Sequence, residues 1–151
     1  MFLRWCRPDL SDGVVDLLEL NLMPADPRLK FGEEHMFVIM PHGKRREAGR
    51  IDIRLGESEF VYYYGHIGYH VDPPFRGNHF AERACRLLLP FARMGGKRSL
   101  VITADPDNIP SRRTCERLGC ELENIVPVPA AMQREWQLSP AKCRYIWRFE
   151  E

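Results

Sequence analysis

Apolar and polar positions change their period several times along the chain, and each change marks an element. Residues 2–5 read as a short first strand, after which Pro8-Asp9-Leu10-Ser11 offers a turn and an Asp or Ser cap. Val14, Val15, Leu17, Leu18 and Leu22 then recur at near-helical spacing, so a first helix is expected there, ended by Pro24 and Pro27. Residues 35–40 and 49–55 are β-like runs joined by a polar connection and read as a hairpin. Residues 60–71, rich in aromatic and β-branched side chains, read as a central strand that stops at Asp72-Pro73-Pro74.

From His79 the period becomes helical. Phe80, Ala84, Leu87, Leu88 and Phe91 form one face, with a kink expected at Pro90 and a stop at Gly95-Gly96. Residues 99–104 form an apolar run of buried-strand length. Asn108 can cap a following helix that ends at Gly119. Residues 121–126 are a further strand candidate, followed by a connection punctuated by Pro127, Pro129 and Pro140. In the last strand, 143–149, Cys143, Tyr145, Trp147 and Phe149 alternate with Arg144 and Arg148. Strands alternating with helices predict an α+β fold, a three-layer α/β arrangement around one mixed sheet of about seven strands.

Composition narrows the classes of function. The 151 residues suit one domain spanning 1–151. Lys plus Arg number 22 against 21 Asp plus Glu, and that balance argues against a general nucleic-acid partner. Apolar runs such as 87–92 are too short for a membrane span, and the first residues lack the pattern of a secretory signal, so a cytoplasmic location is expected. Five cysteines without a C-x-x-C spacing read as free thiols in a reducing compartment. His66, His70, His79 and Cys85 span a strand, a loop and a helix in no metal-ligand pattern, and no metal site is expected.

The chemistry concentrates where the central strand runs through a tight loop into a helix. Helix N-termini present unpaired N–H groups and partial positive charge, Gly77 leaves the backbone open, and Arg76 adds a cation, so the loop suits a phosphate. Arg76 and Ala81 fall on the first and last positions of the pattern Q/R-x-x-G-x-G/A, and Val71 and Pro73 match a preceding strand end in V-x-P. The segment thereby resembles the acetyl-CoA-binding motif of the GNAT N-acetyltransferase superfamily. Thr103-Ala104-Asp105-Pro106-Asp107-Asn108, with Ser111, Leu118 and Gly119, is similar to the family's next strand and Asn-capped helix. Residue-level resemblance covers 66–120.

The resemblance implies a mostly antiparallel central sheet with a splayed pair of central strands and flanking helices. It implies that the pantetheine arm of acetyl-CoA lies between the splayed strands along Tyr69, His70 and Val71. Backbone amides of Gly77, Asn78, His79, Phe80 and Ala81 would cradle the pyrophosphate, with Arg76 beside them, and Asn108 and Ser111 would shape the channel. The activity implied is acetyl transfer from acetyl-CoA to a primary amine of a small molecule or a protein N-terminus, with room for a homodimer. The alternative is a non-catalytic acyl-CoA-binding module.

Two positions depart from the family pattern. His79 stands at a motif glycine, and Cys115 stands where many members carry a tyrosine acid. Cys115 is thus a candidate acid for the leaving thiolate, or else a small buried hydrophobe. The stretch 111–119 is closer to the branch that includes ribosomal-protein N-terminal acetyltransferases. His66 is the candidate base, with His70 on the same strand face. Glu57 and Glu59 could act through water, and Tyr62, Tyr63 and Tyr64 either line an acceptor pocket or pack the sheet. Arg112, Arg113, Lys97 and Arg98 are in reach of a 3′-phosphate or are ordinary surface cations.

Overall fold

A computed structural model describes residues 10–20 and 33–149. The strands are β1 (Leu10–Ser11), β2 (Val15–Glu19), β3 (Glu34–Pro41), β4 (Gly49–Arg54), β5 (Ile67–Val71), β6 (Ser99–Ala104), β7 (Glu121–Pro127) and β8 (Ala141–Arg148). They form one sheet in the order β1-β2-β3-β4-β5-β6-β8-β7. Every neighbouring pair is antiparallel except β5 and β6, which run parallel and pair at one register position, Ile67↔Ile102. The helices are α1 (Glu59–Tyr64), α2 (Phe80–Leu87), α3 (Leu89–Met94), α4 (Ile109–Arg117) and α5 (Ala130–Trp136). The α+β class and the mixed, mostly antiparallel sheet are as expected, with eight strands among the described residues where about seven were expected in all.

The extra strands replace the expected first helix. Residues 15–19 are extended because Asp12-Gly13 forms a hairpin turn: the Asp12 carboxylate accepts the Val14 and Val15 N–H groups at 2.8 Å, and Gly13 takes φ +85. Val15 and Leu17 enter the core and Val14 is exposed, a period of two that a helical count had absorbed. The strand expected at residues 2–5 lies outside the described residues.

The run 60–71 also divides. Ser58 caps α1 by accepting the Val61 N–H at 3.2 Å, and Gly65 ends the helix at φ +81 before β5 begins. A cap and a left-handed glycine thus override the β propensity of three consecutive tyrosines. The proline-rich connection hides α5, which starts after Pro129 and stops at Gln137 in the left-handed region. The hairpin β3–β4, the helix end at Gly95 and the Asn108-capped α4 fall where the sequence puts them, whereas the kink expected at Pro90 is a break at Leu88 that divides the helix into α2 and α3, with Pro90 in the first turn of α3.

The core lies between the sheet and the pair α2 and α4. Ile51 and Ile53 of β4, Ile67 of β5 and Leu100 and Ile102 of β6 are fully buried against Ala84, Cys85, Leu88 and Cys115. Truncating a residue such as Leu88 to Ala in this layer costs about 2–5 kcal/mol. The same packing fixes α2 and α4 side by side at the end of β5.

Candidate functional site

β5 and β6 separate immediately after their single pairing, and the gap between them is the foundation of the site. At the two ends of β5 the His66 carbonyl accepts the Arg54 N–H and the Asp72 N–H donates to the Ala48 carbonyl, both at 2.7 Å, so the even-numbered backbone groups of the strand bond to β4. The backbone groups of Tyr69 and Val71 therefore face the gap. Arg76 Nε donates to the Val71 carbonyl at 2.9 Å, folding the loop back over the strand end.

The loop reaches α2 through two left-handed residues, Gly77 at φ +86 and His79 at φ +59. A Cβ built on Gly77 would meet nothing within 4 Å, so its requirement for glycine is conformational. His79 precedes the first turn of α2 and offers no side-chain cap, which leaves the first N–H groups of the helix directed outward.

These parts enclose a cavity of about 510 Å³. β5 contributes Tyr69, His70 and Val71, the loop contributes Arg76, Gly77 and His79, and the third wall is Asn108, Pro110, Ser111, Arg113, Thr114 and Arg117 of α4 and its cap. Asn108 holds that wall by accepting the Ser111 N–H at 3.2 Å. Tyr69 crosses beneath the gap, and its hydroxyl lies 3.0 Å from Ser111 Oγ and donates to Ser111 C=O at 3.4 Å. Burial pushes the Tyr69 phenol well above its usual range, so it keeps its proton. Arg117 is held by Glu82 at 3.2 Å.

The structure thus brings together nine residues singled out in the sequence: Tyr69, His70, Val71, Arg76, Gly77, His79, Asn108, Ser111 and Arg113. Asn78 turns its side-chain amide to the Phe75 carbonyl at 3.0 Å, while Phe80 and Ala81 send their side chains into the core and leave only backbone near the loop. Pro110, Thr114 and Arg117 were not foreseen, although with Arg113 they stand three and four positions apart on one helical face, a signal readable once α4 is known to border a site.

The two candidate catalytic residues lie outside the cavity lining. His66 is buried with both ring nitrogens engaged: Nδ1 accepts the Val101 N–H at 2.9 Å, and Nε2 donates to Glu57 Oε1 at 2.6 Å. Burial holds its pKa below the usual imidazole value despite Glu57. With no lone pair left over, the imidazole clamps β5 to β6 at the fork and has none to offer an amine. Glu57 is itself shared with Lys97 at 2.5 Å; burial raises its pKa, and the hydrogen bonds from Lys97 and His66 more than reverse that.

Cys115 is fully buried on the inner face of α4, and its thiol is raised far above the ordinary range by contact with Cys120 and by burial. The geometry gives it the small-hydrophobe role. Tyr62 stacks its ring under the Arg144 guanidinium at 3.7 Å, and Tyr64 donates to the Trp136 carbonyl at 3.3 Å, which ties α1 to α5. Arg112 is committed to Tyr145 Oη at 2.9 Å and to Pro106 C=O at 3.1 Å, leaving Arg113 as the expected phosphate cation that reaches the cavity. Among the described residues no group of His, Cys, Asp or Glu is arranged to hold a metal ion, and no helix is long and apolar enough to cross a membrane.

Comparison with known proteins adds a family to this geometry. A family model described as an acetyltransferase (GNAT) domain matches residues 20–121. No curated protein sequence matches the chain. Among solved structures, the microcin self-immunity acetyltransferase MccE, determined with acetyl-CoA and AMP, is similar at 20% identity and TM-score 0.59 over 77% of this chain. An acetyltransferase of Salmonella typhimurium that modifies the N-terminal serine of a 50S ribosomal subunit protein is similar at 22% identity and TM-score 0.59 over 79%. A GNAT-family acetyltransferase from Bacillus anthracis is similar at 21% identity and TM-score 0.59 over 77%. The chain spans 61%, 66% and 67% of the lengths of these three proteins, and the likeness is one of fold.

Proposed function

The chain belongs to the GNAT acetyltransferase family, and from that footing we propose that it transfers an acetyl group from acetyl-CoA to a primary amine, on a small molecule or a protein N-terminus, by direct attack in a ternary complex. The observation that carries this reading is that the unpaired edge of β5 and the uncapped start of α2 open into one cavity of about 510 Å³. An extended amide-bearing arm adds to an open strand edge, and a pyrophosphate suits a helix start.

In this reading Tyr69 and Val71 pair with the pantetheine amides, while the backbone of Gly77 to Ala81 and the Arg76 side chain hold the pyrophosphate. Asn108 and Ser111 shape the channel, and Arg113 reaches a terminal phosphate. The thioester then sits at the fork beside Ile67 and Gly68, where a backbone N–H of β5 stabilises the oxyanion. Attack by the neutral amine forms the C–N bond, the C–S bond breaks, the nitrogen gives up one proton and the departing thiolate takes one up. A reducing cytoplasm suits both the thiol product and the free cysteines of the described chain.

The second reading, a binding module without turnover, is favoured by His79 at a glycine position and by Cys115 lying outside the cavity. Calorimetry with acetyl-CoA followed by free-thiol release across a panel of primary amines separates the two. Saturable binding with amine-dependent thiol release is the expected result. Binding with no response to any amine favours the module, and no binding removes both.

A further inference from the structure

The α4 wall of the cavity carries two arginines that the pyrophosphate cradle does not use. Pro110, Arg113, Thr114 and Arg117 recur at intervals of three and four, so they share the one face of α4 that lines the cavity. Arg112 interrupts the run and turns away, donating to Tyr145 Oη and to the Pro106 carbonyl. Arg76, Gly77 and His79 line the same cavity from the loop before α2. Cations therefore enter one cavity from two separate elements.

The two α4 arginines are prepared differently. Arg117 is fixed along one edge of its guanidinium: Nε donates to Glu82 Oε1 and Nη2 donates to Thr114 Oγ1, both at 3.2 Å. Its Nη1 has no partner among the described residues, so the planar fork keeps donors to spare. Arg86 donates to the Arg117 carbonyl at 3.1 Å and satisfies an acceptor in the last turn of α4, where a helix is otherwise partly negative. Arg113 is exposed and makes no hydrogen bond or ion pair among the described residues. Two like charges four positions apart on a helix repel, and an anion placed between them removes that cost.

We propose that Arg113 and Arg117 form a subsite for the 3′-phosphate of a nucleotide, and that the cavity takes nucleoside 3′,5′-bisphosphates as a class. This rests on the acetyltransferase reading and deepens it. The 5′-diphosphate lies at the start of α2 beside Arg76, the ribose spans the cavity, and the 3′-phosphate meets α4. Donor choice follows from that arrangement. A thioester of CoA carries the 3′-phosphate, whereas a thioester on the phosphopantetheine of a carrier protein does not. Free adenosine 3′,5′-bisphosphate, with neither pantetheine nor thioester, occupies the same cavity in competition with acetyl-CoA. Glu82 is a positioning residue in this scheme: its carboxylate orients Arg117 and also competes with the phosphate for it.

Calorimetry on the full chain compares acetyl-CoA with acetyl-dephospho-CoA, which lacks only the 3′-phosphate, and adenosine 3′,5′-bisphosphate with AMP. The unaltered protein is expected to bind the 3′-phosphorylated member of each pair about tenfold more tightly or better, the scale of charge-assisted hydrogen bonds to one phosphate. Arg113→Gln and Arg117→Gln are each expected to cut that ratio severalfold while the Kd of acetyl-dephospho-CoA stays within about twofold. A wall that acts only through shape moves both members of a pair together and leaves the ratio alone. Glu82→Gln keeps an acceptor for Arg117 Nε and removes the competing charge, so it is expected to raise the ratio about two- to threefold. That variant also provides the test if an arginine variant fails to fold. Equal affinities within each pair, a ratio that survives both arginine substitutions, or a ratio unmoved in Glu82→Gln overturns the subsite and leaves the acetyltransferase reading intact. Failure of the unaltered protein to bind acetyl-CoA at all overturns both.

Discussion

Tyr69 Oη and Ser111 Oγ stand 3.0 Å apart and join β5 to the first turn of α4 across the floor of the cavity. Because the phenol is largely buried and also donates to the Ser111 carbonyl, the contact fixes the width of the channel rather than decorating its rim. Tyr69→Phe and Ser111→Ala are each expected to cost about 0.5–1.5 kcal/mol, and the double variant less than their sum. Urea unfolding of the cycle measures that coupling. Strict additivity would show that the two hydroxyls act independently.

Arg76 acts through charge at the phosphate loop and through geometry at Val71, where its Nε holds the strand end. Arg76→Ala is expected to weaken acetyl-CoA by more than it weakens a pantetheine fragment lacking the phosphates. Calorimetry with both ligands gives the ratio, and equal losses would limit Arg76 to the strand-end role.

His79 occupies a left-handed conformation at the start of α2, at φ +59 and ψ 28. An L residue is strained there, though histidine tolerates the region better than most. His79→Gly should therefore stabilise the fold by about 0.5–1 kcal/mol, which corresponds to a Tm rise of about 1–4 °C for a chain of this size. Removing the imidazole also clears the approach to the helix start, so acetyl-CoA is expected to bind more tightly. Weaker binding in thermal-shift titrations would instead make the imidazole a phosphate donor.

Much of this site was legible because its parts are local. Arg76, Gly77, Asn108 and Gly119 are turn and cap residues whose meaning depends on a few neighbours, and all four fall where the pattern puts them. What failed was non-local or competitive. The clamp made by His66 depends on Val101 and Glu57, which no spacing connects. Val14 to Leu18 fit a helical and an alternating period equally well until the Asp12 turn decides between them. Tyr62 to Tyr64 show the reverse, strong strand formers held in a helix by one serine cap and one left-handed glycine. The approach of Asp52 to the Gly68 backbone is likewise invisible in sequence, because it needs the β4–β5 register.

The His66 clamp makes stability depend on pH in a defined direction. Its pKa is depressed in the folded protein by burial, so the contribution of the neutral ring is fully present above the ordinary imidazole value of about 6.5 and is lost as pH falls below it. Protonation adds a hydrogen at Nδ1 and breaks the bond from Val101 N–H. Asp52 has the opposite slope over an overlapping range, since burial raises its pKa and makes stability fall as pH climbs through the interval up to about 6. Urea midpoints of the native chain and of His66→Gln between pH 5 and 7.5 isolate the histidine. The difference between them is expected to shrink toward the acid end, and a constant difference would remove the linkage.

Cys115 supplies the last prediction, because sequence reasoning left it between an acid and a core residue. Its thiol is fully buried against Cys120 and near Tyr69, is raised well above the ordinary range, and is absent from the cavity wall. A raised thiol pKa keeps the proton on sulfur, but a group with no surface in the channel cannot pass it to a leaving thiolate there. Cys115→Ala is therefore expected to leave kcat within about twofold and to cost about 1–3 kcal/mol in stability, the range of an ordinary core truncation. Cys115→Ser puts a hydroxyl in the same buried position, where it must find a partner or add its own desolvation cost, so it should be no more stable than the alanine variant. Thiol-release kinetics beside urea unfolding of both variants decide the matter. A fall in kcat of tenfold or more at unchanged acetyl-CoA affinity would return Cys115 to the reaction, and would require α4 to shift enough to admit the thiol to the channel.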